Sequence, residues 1–493
     1  MKTILRSALG VFAVILSLLV LLIIWPSKSA PLPDEAKDRI ITNARVVDVV
    51  EGTVSRPLSV RIRNGVIVEI APDIAAANLP GIDARGGYLV PAFWDMHVHT
   101  FQSSPQVHFP LWIANGVTNV RDMMDCPEER DSLIACAADK RRWNAEIAEG
   151  RLAAPRFVEV ASYYLESPDI DPAEAARRVQ AYQARGIDAV KVYNRLQPAA
   201  YLAAAREAQA RGMRLVGHLP RAISLEEAIE AGQASFEHAH LLPQQCSART
   251  KDWRVGKLDS LSPTARLEAL TSSFDPARCD DVIAALAAAG SWHVPTHVTR
   301  EEDARASDPV FLLDPRLVYL DPLSRFAWDD DLSSTISAYP GKRGERALKS
   351  YFGHGLQLTG KAYAGGVGIL VGTDTVIGGF RYHDELAHLV AAGLTPAEVL
   401  RAATWDAARY SGEADTAGTV AVGKRADLVL LSENPLEDIA HTRTVVAVFQ
   451  EGRLYDRKKL DELLAFARKE AAAPHNMAKL IWGFLRSSVS GDL

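Results

Sequence analysis

The strongest constraint on the fold is an alternation of short apolar runs with Ala-rich helical patterns between residues 88 and 375. Short apolar runs are typical of buried strands, and helices between successive strands bring those strands into a parallel sheet. We count eight runs, which are YLVPAFWDMHVH, GVTNVRDM, RFVEVASYYL, AVKVYN, RLVGHL, ASFEHAH, WHVPTHV and GILVGTDT. Eight such units predict an α/β fold with a (β/α)8 TIM-like barrel, whose functional site lies at the carboxyl ends of the strands. The long segments on either side of the seventh run predict helices that cover this site.

Both ends of the chain have a different texture, with short β-branched runs separated by Gly and Asn. These runs fall in residues 38–86 and 413–456, on either side of the barrel predicted for residues 87–412. A lone pair of strands is not stable in water. We therefore expect the two ends to meet in one composite β-sandwich, followed by a helical tail over residues 457–493.

The first 30 residues predict export. Lys2 and Arg6 precede an uncharged stretch from Ser7 to Trp25, which is close to the ~20 residues that span a bilayer as a helix. The stretch is longer than a cleavable signal core and SKS before Ala30 is a weak cleavage site, so we favour a transmembrane anchor over a signal peptide. Positive charges that flank a transmembrane segment stay on the cytoplasmic side of the membrane. The remainder is then expected on the periplasmic side of the inner membrane, or as an exported soluble protein if the segment is cleaved.

Composition restricts the partners and the cysteine chemistry. A formal net charge of −6 without a basic run gives no support for nucleic-acid binding. The four cysteines fit an oxidising compartment, and none forms a Cys-x-x-Cys pair. We predict local disulfides between Cys126 and Cys136 and between Cys246 and Cys279, with four free thiols as the alternative. Assembly into a homo-oligomer remains an open alternative to a monomer.

Polar side chains mark the ends of several predicted strands. His97 and His99 are two residues apart after the first run, and residues i and i+2 of a strand share a face. The other candidates belong to later runs, and they are Lys191, His218, His238 and Asp374. Each has a structural alternative, such as a hydrogen-bonded core histidine or a helix-capping aspartate. Their convergence at one mouth of a barrel predicts a metal site instead.

Lys191 is the unusual member of this set because it lies between two valines. Lysine is rarely buried without a partner. An ammonium group beside two divalent cations would be repelled, whereas a lysine carbamate is an anion able to bridge two metals.

These motifs resemble the metal-dependent amidohydrolase superfamily, in its imidazolonepropionase-like and prolidase-like branch. The resemblance covers roughly Arg39 to Asp456 and rests on FWDMHVHT, ANGVTNVRDM, AVKVYN, GHLP, FEHAH, VGTDT and HDELAHLVAAGLTPAEVLRAATWDAARYSG, followed by GTVAVGKRADLVLL. It implies two divalent metal ions, expected to be Zn²⁺. The implied ligands are His97, His99 and Asp374 for one ion, His218 and His238 for the other, and N6-carboxylated Lys191 as the bridge.

The implied function is hydrolysis of an amide or peptide bond in a small molecule such as a dipeptide, an N-acyl amino acid or a cyclic amide. Two metals that share a water lower its pKa to near neutrality, so metal-bound hydroxide would attack the carbonyl carbon. Asp374 would act as the proton shuttle between that water and the leaving amine. Tyr193 or His240 would donate a hydrogen bond to the developing oxyanion, with a packing role as the alternative for each.

Other functions remain as alternatives. A mononuclear deaminase commonly has a glutamate three residues after the fifth-strand histidine, where this chain has Arg221. A lactone or ester hydrolase of the same superfamily and a non-catalytic, membrane-tethered binding protein also stay open, although none of the six ligands is missing. Arg121, Arg300 and Arg381 are candidates to hold a substrate carboxylate, with surface arginines as the alternative.

Overall fold

The structure is a computed structural model that describes residues 16–75, 79–375 and 377–489. In chain order the described strands are β1 (Asp38–Asp48), β2 (Thr53–Arg63), β3 (Val66–Ala71), β4 (Gly81–Asp83), β5 (Tyr88–Pro91), β6 (Phe93–Val98), β7 (Val117–Asp122), β8 (Arg156–Val160), β9 (Ala189–Val192), β10 (Arg214–Gly217), β11 (Gln233–Glu237), β12 (Trp292–Val294), β13 (Gly368–Ile369), β14 (Leu428–Leu431), β15 (Val445–Gln450) and β16 (Arg453–Tyr455).

The described α-helices are α1 (residues 16–24), α2 (His108–Ala114), α3 (Ala137–Ala148), α4 (Pro172–Ala184), α5 (Pro198–Ala210), α6 (Leu225–Glu230), α7 (Leu241–Gln245), α8 (Thr250–Arg254), α9 (Pro263–Ser272), α10 (Pro276–Ala289), α11 (His297–Ala304), α12 (Pro309–Leu312), α13 (Pro322–Ala338), α14 (Gly341–Ala364), α15 (Phe380–Ala391), α16 (Pro396–Arg401), α17 (Ala407–Tyr410), α18 (Arg457–Ala471) and α19 (Pro474–Arg486). Short 3₁₀ turns span Pro315–Tyr319 and Ile439–Arg443, and a π-helical turn spans Ala402–Asp406.

Eight parallel strands, β6 to β13, form the barrel. They hydrogen-bond in two groups, β6 to β8 and β9 to β13. A parallel bridge from Ala161 to Ala189 joins the groups at one seam. At the other seam the Asp374 amide donates to the His97 carbonyl at 2.8 Å. The eight strands fall in the eight apolar runs, so the predicted (β/α)8 fold is confirmed.

The first apolar run contains two strands instead of one. Its first part, β5, pairs with β1 and β14 outside the barrel, and only its second part, β6, enters the barrel. The break falls at Pro91 and Ala92, where proline has no amide hydrogen to continue a ladder. The sequence from Tyr88 to Trp94 is apolar on both sides of this break, so it gave no sign of the change of sheet.

Strands from both ends of the chain form one eight-stranded sheet, in the order β16-β15-β14-β5-β1-β2-β3 with β4 also on β1. The two ends meet where β14 pairs antiparallel with β5, and Leu430 lies opposite Leu89. Ile41, Val60 and Phe449 belong to the apolar cluster that this sheet buries. The domain boundaries given above, which are residues 38–86 and 413–456 for the strands of the two ends and 87–412 for the barrel, stay predictions.

The predicted membrane anchor and periplasmic location are wrong. The described part of the Ser7–Trp25 segment is helical over residues 16–24. Nowhere in the three described ranges is a helix long and apolar enough to cross a membrane. Residues 1–15, with Lys2 and Arg6, lie outside the described residues.

The long segments on either side of β12 contain the helices α7 to α10 and α11 to α14, and their covering of the site stays a prediction. One disulfide joins Cys246, at the end of α7, to Cys279 in α10, and a second joins Cys126 to Cys136 in the loop after β7. Both are the local pairings predicted. Beyond β16, α18 packs on α2 and buries Leu460.

Candidate metal centre

All six candidate ligands lie at the carboxyl end of the barrel. Their positions are His97 in β6, His99 just after it, Lys191 in β9, and His218, His238 and Asp374 directly or shortly after β10, β11 and β13. His238 and Asp374 have positive φ angles of 72° and 49°. Such angles are uncommon for residues other than glycine and cluster at functional sites. The strand ends therefore turn sharply where the side chains converge.

His97, His99 and Asp374 form a group with the geometry of a metal site. Asp374 Oδ1 lies 3.0 Å from His99 Nε2 and 3.8 Å from His97 Nε2. One ligand atom from each residue lies within 4.8 Å of the others. Among the described residues, His97 Nε2 and His99 Nδ1 are buried without a hydrogen-bond partner. A buried polar atom without a partner is costly, and a cation bound beside Asp374 would satisfy His97 Nε2.

His218 and His238 face each other through their Nε2 atoms, which are 2.9 Å apart. The far nitrogens are occupied, since His218 Nδ1 lies 2.8 Å from Asn194 Oδ1 and His238 Nδ1 lies 2.9 Å from Thr296 Oγ1. If Nδ1 donates in each ring, two Nε2 lone pairs point at one another. This arrangement needs a cation or a proton between the rings, and it fits a second metal.

Burial sets the charge of these groups. Loss of hydration lowers the pKa of His97, and lowers the pKa values of His218 and His238 well below the ordinary value. The rings are therefore neutral near pH 7, which is the form that binds metals. Burial raises the pKa of Asp374, but His97 and His99 outweigh it and leave that pKa well below the ordinary value. The site combines neutral imidazoles with an ionised carboxylate.

Lys191 is 2% exposed, and its Nζ lies 5.9 Å from the centre of the Tyr193 ring. Burial lowers the pKa of Lys191 to about 8, although Asp374 acts in the opposite direction. The neighbouring strand leaves room for the lysine at Gly217, which has a φ of 113°. A Cβ there would overlap the Val192 carbonyl oxygen and lie 3.1 Å from Lys191 Cγ.

Tyr193 and His240 lie beside the imidazole pair. The Tyr193 ring centre is 3.9 Å from that of His218, and the His240 ring centre is 5.6 Å from that of His238. Burial raises the pKa of Tyr193 to about 12, so its hydroxyl keeps its proton at neutral pH. Burial lowers the pKa of His240 to about 3, so its ring is neutral with one N–H. Both side chains are therefore available as hydrogen-bond donors.

Two of the three candidate carboxylate-binding arginines are committed elsewhere. Arg121 is fully buried below the site and donates to Glu237 at 2.8 Å. Arg381 is 4% exposed and pairs with Glu301 at 2.9 Å and Asp384 at 2.6 Å. Neither guanidinium is open to a substrate, so their assignment to substrate binding is corrected. Both arginines lie in buried parts of a strand or a helix, and carboxylates of the protein itself balance their charge.

Arg300 is different. It lies in α11 one turn after Thr296, whose hydroxyl contacts His238. The side chain is 34% exposed and pairs at 2.6 Å with Asp303 of its own helix. Its charge contributes to lowering the pKa values of His218 and His240. Arg300 is therefore a cation close to the imidazoles that keeps contact with solvent.

The sequence reasoning missed Glu237. Its Oε2 lies 2.8 Å from His97 Nδ1, on the side of the ring away from Asp374. Burial alone would raise the pKa of Glu237, but Arg121 and His97 lower it to about 2. The signal was present in the run ASFEHAH, because an acidic residue in the middle of a buried strand needs a partner.

A cavity of about 840 Å³ adjoins the site through Tyr193. It opens between the chain segments that follow β8 and β9, and its walls include Tyr163, Tyr164, Arg178 and Arg195. Its volume is in the range of small-molecule pockets.

The fold and this geometry define a (β/α)8 barrel protein with a candidate metal site of histidines and a carboxylate at the strand ends. Residues 88–455 match the model of the amidohydrolase family, well over half of the chain. The chain belongs to the amidohydrolase family. Members of this family are generally metal-dependent hydrolases, and the His97, His99 and Asp374 group is consistent with that property.

Solved structures share the fold. A bottromycin amidohydrolase aligns with a TM-score of 0.69 and 22% identity over 90% of this chain and 92% of that one. A Xaa-Pro dipeptidase with bound methionine in its active site aligns with a TM-score of 0.59 and 19% identity over 85% of this chain and all of that one. At these identities the likeness establishes the barrel fold alone.

Among curated proteins, an ochratoxinase from Aspergillus niger is 38% identical over 103 residues, which are 19% of this chain and 22% of that protein. The chain thus matches about a fifth of the length of this relative. The similarity supports the family assignment without transferring the relative's activity.

Proposed function

We propose that this protein is a binuclear metal-dependent hydrolase that cleaves an amide or peptide bond in a small molecule. The observation that carries the proposal is the convergence of buried imidazole nitrogens on the carboxylate of Asp374, where His97 Nε2 has no hydrogen-bond partner among the described residues. Imidazole and carboxylate ligands together suit zinc.

The ligands would divide into two groups. His97, His99 and Asp374 would hold one ion, and the facing Nε2 atoms of His218 and His238 would hold the other. Lys191 would lie between the ions as its N6-carboxylate. Burial favours the neutral amine of Lys191, and a neutral amine adds to the carbon of CO₂ and loses a proton to give the carbamate anion.

When bound, the ions would supply a water of lowered pKa and polarise the scissile carbonyl. Asp374 would do the proton transfer, because its carboxylate is ionised near neutral pH and can take a proton from the attacking water. It would then give that proton to the leaving nitrogen. Tyr193 or His240 would donate a hydrogen bond to the carbonyl oxygen as charge develops there.

The substrate would be a dipeptide, an N-acyl amino acid or a cyclic amide. Arg300 supports the first two, because its guanidinium can exchange Asp303 for a substrate carboxylate. The printed names Xaa-Pro dipeptidase and bottromycin amidohydrolase refer to peptide or amide bonds in those proteins. Deamination is less well supported, since Arg221 pairs with Asp259 at 2.8 Å and offers no acid.

The test uses purified protein loaded with Zn²⁺ and a panel of Xaa-Pro dipeptides, Xaa-Lys dipeptides, N-acyl amino acids, their carboxamides and a lactone. We expect release of free amine from at least one amide substrate, and loss of that activity after chelation. Arg300→Met should lower kcat/KM for the free acids far more than for the carboxamides. Absence of amide cleavage by the metal-loaded protein would contradict the proposal, and cleavage of the lactone alone would replace it with the ester-hydrolase alternative.

A further inference from the structure

A chain of buried polar side chains runs from His97 into the barrel. Glu237 Oε2 lies 2.8 Å from His97 Nδ1. Arg121 Nη2 donates to both oxygens of Glu237, at 2.8 and 3.0 Å, and Ser235 Oγ donates to Oε1 at 2.6 Å. All four residues are almost completely buried. Water does not compete for these contacts, so the side chains themselves decide where each hydrogen lies.

The hydrogen between His97 and Glu237 can be assigned from the other partners. A carboxylate that receives a guanidinium and a hydroxyl is an acceptor, so the contact with Nδ1 requires an N–H there. A neutral imidazole has a single N–H. The hydrogen on Nδ1 therefore leaves Nε2 with its lone pair, and Nε2 is the buried nitrogen that faces Asp374 at 3.8 Å.

We propose that Glu237, oriented by Arg121, is a positioning residue that holds His97 in the Nδ1–H tautomer and so keeps Nε2 ready to bind a metal. The inference rests on the proposed function only in assigning a metal as the species that Nε2 binds. A carboxylate behind an imidazole also strengthens the imidazole as a ligand.

His97 differs in this respect from the other candidate histidines. Among the described residues, His218 and His238 have the neutral acceptors Asn194 and Thr296 on their far nitrogens, and His99 Nδ1 has no partner. His97, the ligand on β6, is therefore the candidate histidine whose far ring nitrogen contacts a carboxylate. We expect the ion at His97 to be the one whose affinity depends on this network.

The first measurement leaves Glu237 unchanged. Long-range ¹H–¹⁵N NMR of chelator-treated protein with labelled histidine distinguishes a protonated from a bare ring nitrogen, and His97→Asn identifies the His97 signal. We expect hydrogen on Nδ1 near pH 7.5. Hydrogen on Nε2 in the wild type would overturn the proposal.

The second measurement is Zn²⁺ affinity by competition with a chelating dye. In Glu237→Gln the amide oxygen should turn towards Arg121, since the amide nitrogen is itself a donor, and the amide should then donate to His97 Nδ1. That moves the hydrogen to Nε2 and should weaken one Zn²⁺ constant by roughly 10- to 100-fold. Glu470→Gln is the matched control, because Glu470 is 1% exposed and lies 3.3 Å from His475 Nε2, with no hydrogen bond or ion pair to His97 or Arg121 in the described part of the chain. It should change affinity less than about threefold.

Unchanged Zn²⁺ affinity in Glu237→Gln, or an equal loss in Glu470→Gln, would overturn the proposal. If Glu237→Gln does not fold, the tautomer of the wild type decides. If the wild type shows the Nδ1–H tautomer but binds no Zn²⁺, the proposed metal hydrolase fails while the role of Glu237 in orienting His97 stands.

Discussion

Replacing Arg121 with methionine should destabilise the protein far more than the same change at Arg300. Arg121 is fully buried and donates to Glu237 at 2.8 Å, to the Met96 carbonyl at 2.6 Å and to the Tyr410 hydroxyl at 3.0 Å. Methionine keeps part of the volume and none of the charge. The carboxylate of Glu237 would remain buried without its cation.

The magnitude follows from these contacts. Breaking a buried ion pair costs about 3–5 kcal/mol, because it leaves an uncompensated charge. Lost hydrogen bonds to neutral groups add about 1 kcal/mol each, and relaxation around methionine removes part of the total. We expect Arg121→Met to lower the free energy of unfolding by about 4 kcal/mol. Arg300 is 34% exposed with one ion pair, and surface pairs are worth about 0–1 kcal/mol.

The assay is urea unfolding of chelator-treated protein, followed by tryptophan fluorescence, with wild type, Arg121→Met and Arg300→Met in parallel. Chelation removes any contribution of metal binding to stability. A loss below about 1 kcal/mol for Arg121→Met would refute the structural role of that arginine. So would equal losses in the two variants, since the difference in burial would then have no effect.

Further predictions concern the site itself. Asp374→Asn should lower kcat by about 10²–10⁴-fold, because an amide cannot shuttle a proton. The circular dichroism spectrum and much of the metal content should be retained. A near-normal rate would exclude Asp374 as the proton shuttle. Lys191→Ala should lose bound metal as well as activity, and short-chain carboxylic acids should restore part of both. Full metal content with near-normal kcat in that variant, measured by elemental analysis and initial rates, would exclude Lys191 as the bridging ligand. Gly217→Ala should lower the free energy of unfolding by about 1–3 kcal/mol, since its φ is 113° and its Cβ would meet the Val192 carbonyl oxygen; an unchanged urea midpoint would contradict this.

The barrel was predictable because its signal is local and repeated. Each strand is a short apolar run, and the run AVKVYN gives β9 together with the buried Lys191. The first run was merged because Tyr88 to Trp94 is apolar throughout, whereas the change of sheet at Pro91 depends on β14, far away in the chain. A local pattern cannot show which distant strand supplies the hydrogen bonds.

The same limit explains the errors at the site. The spacing of His97 and His99 and the strand-end positions of His218 and His238 were visible in the sequence. Glu237 was missed because its partner His97 lies 140 residues away. Arg121 was assigned to substrate because its positive charge is visible in the sequence and its burial is not. Outside the site, the membrane anchor was predicted from the hydropathy of the Ser7 to Trp25 segment alone.

The sheet that joins both ends of the chain also bears on biosynthesis. Leu89 in β5 pairs with Leu430 in β14, so β5 leaves the ribosome long before its partner strand is made. At about 5–20 residues per second, the interval is roughly 17–70 s. During this time one edge of β5 has no partner and can pair with strands of other nascent chains. We expect translation stalled between β13 and β14 to yield chains that aggregate or recruit a chaperone, even when the barrel strands are complete.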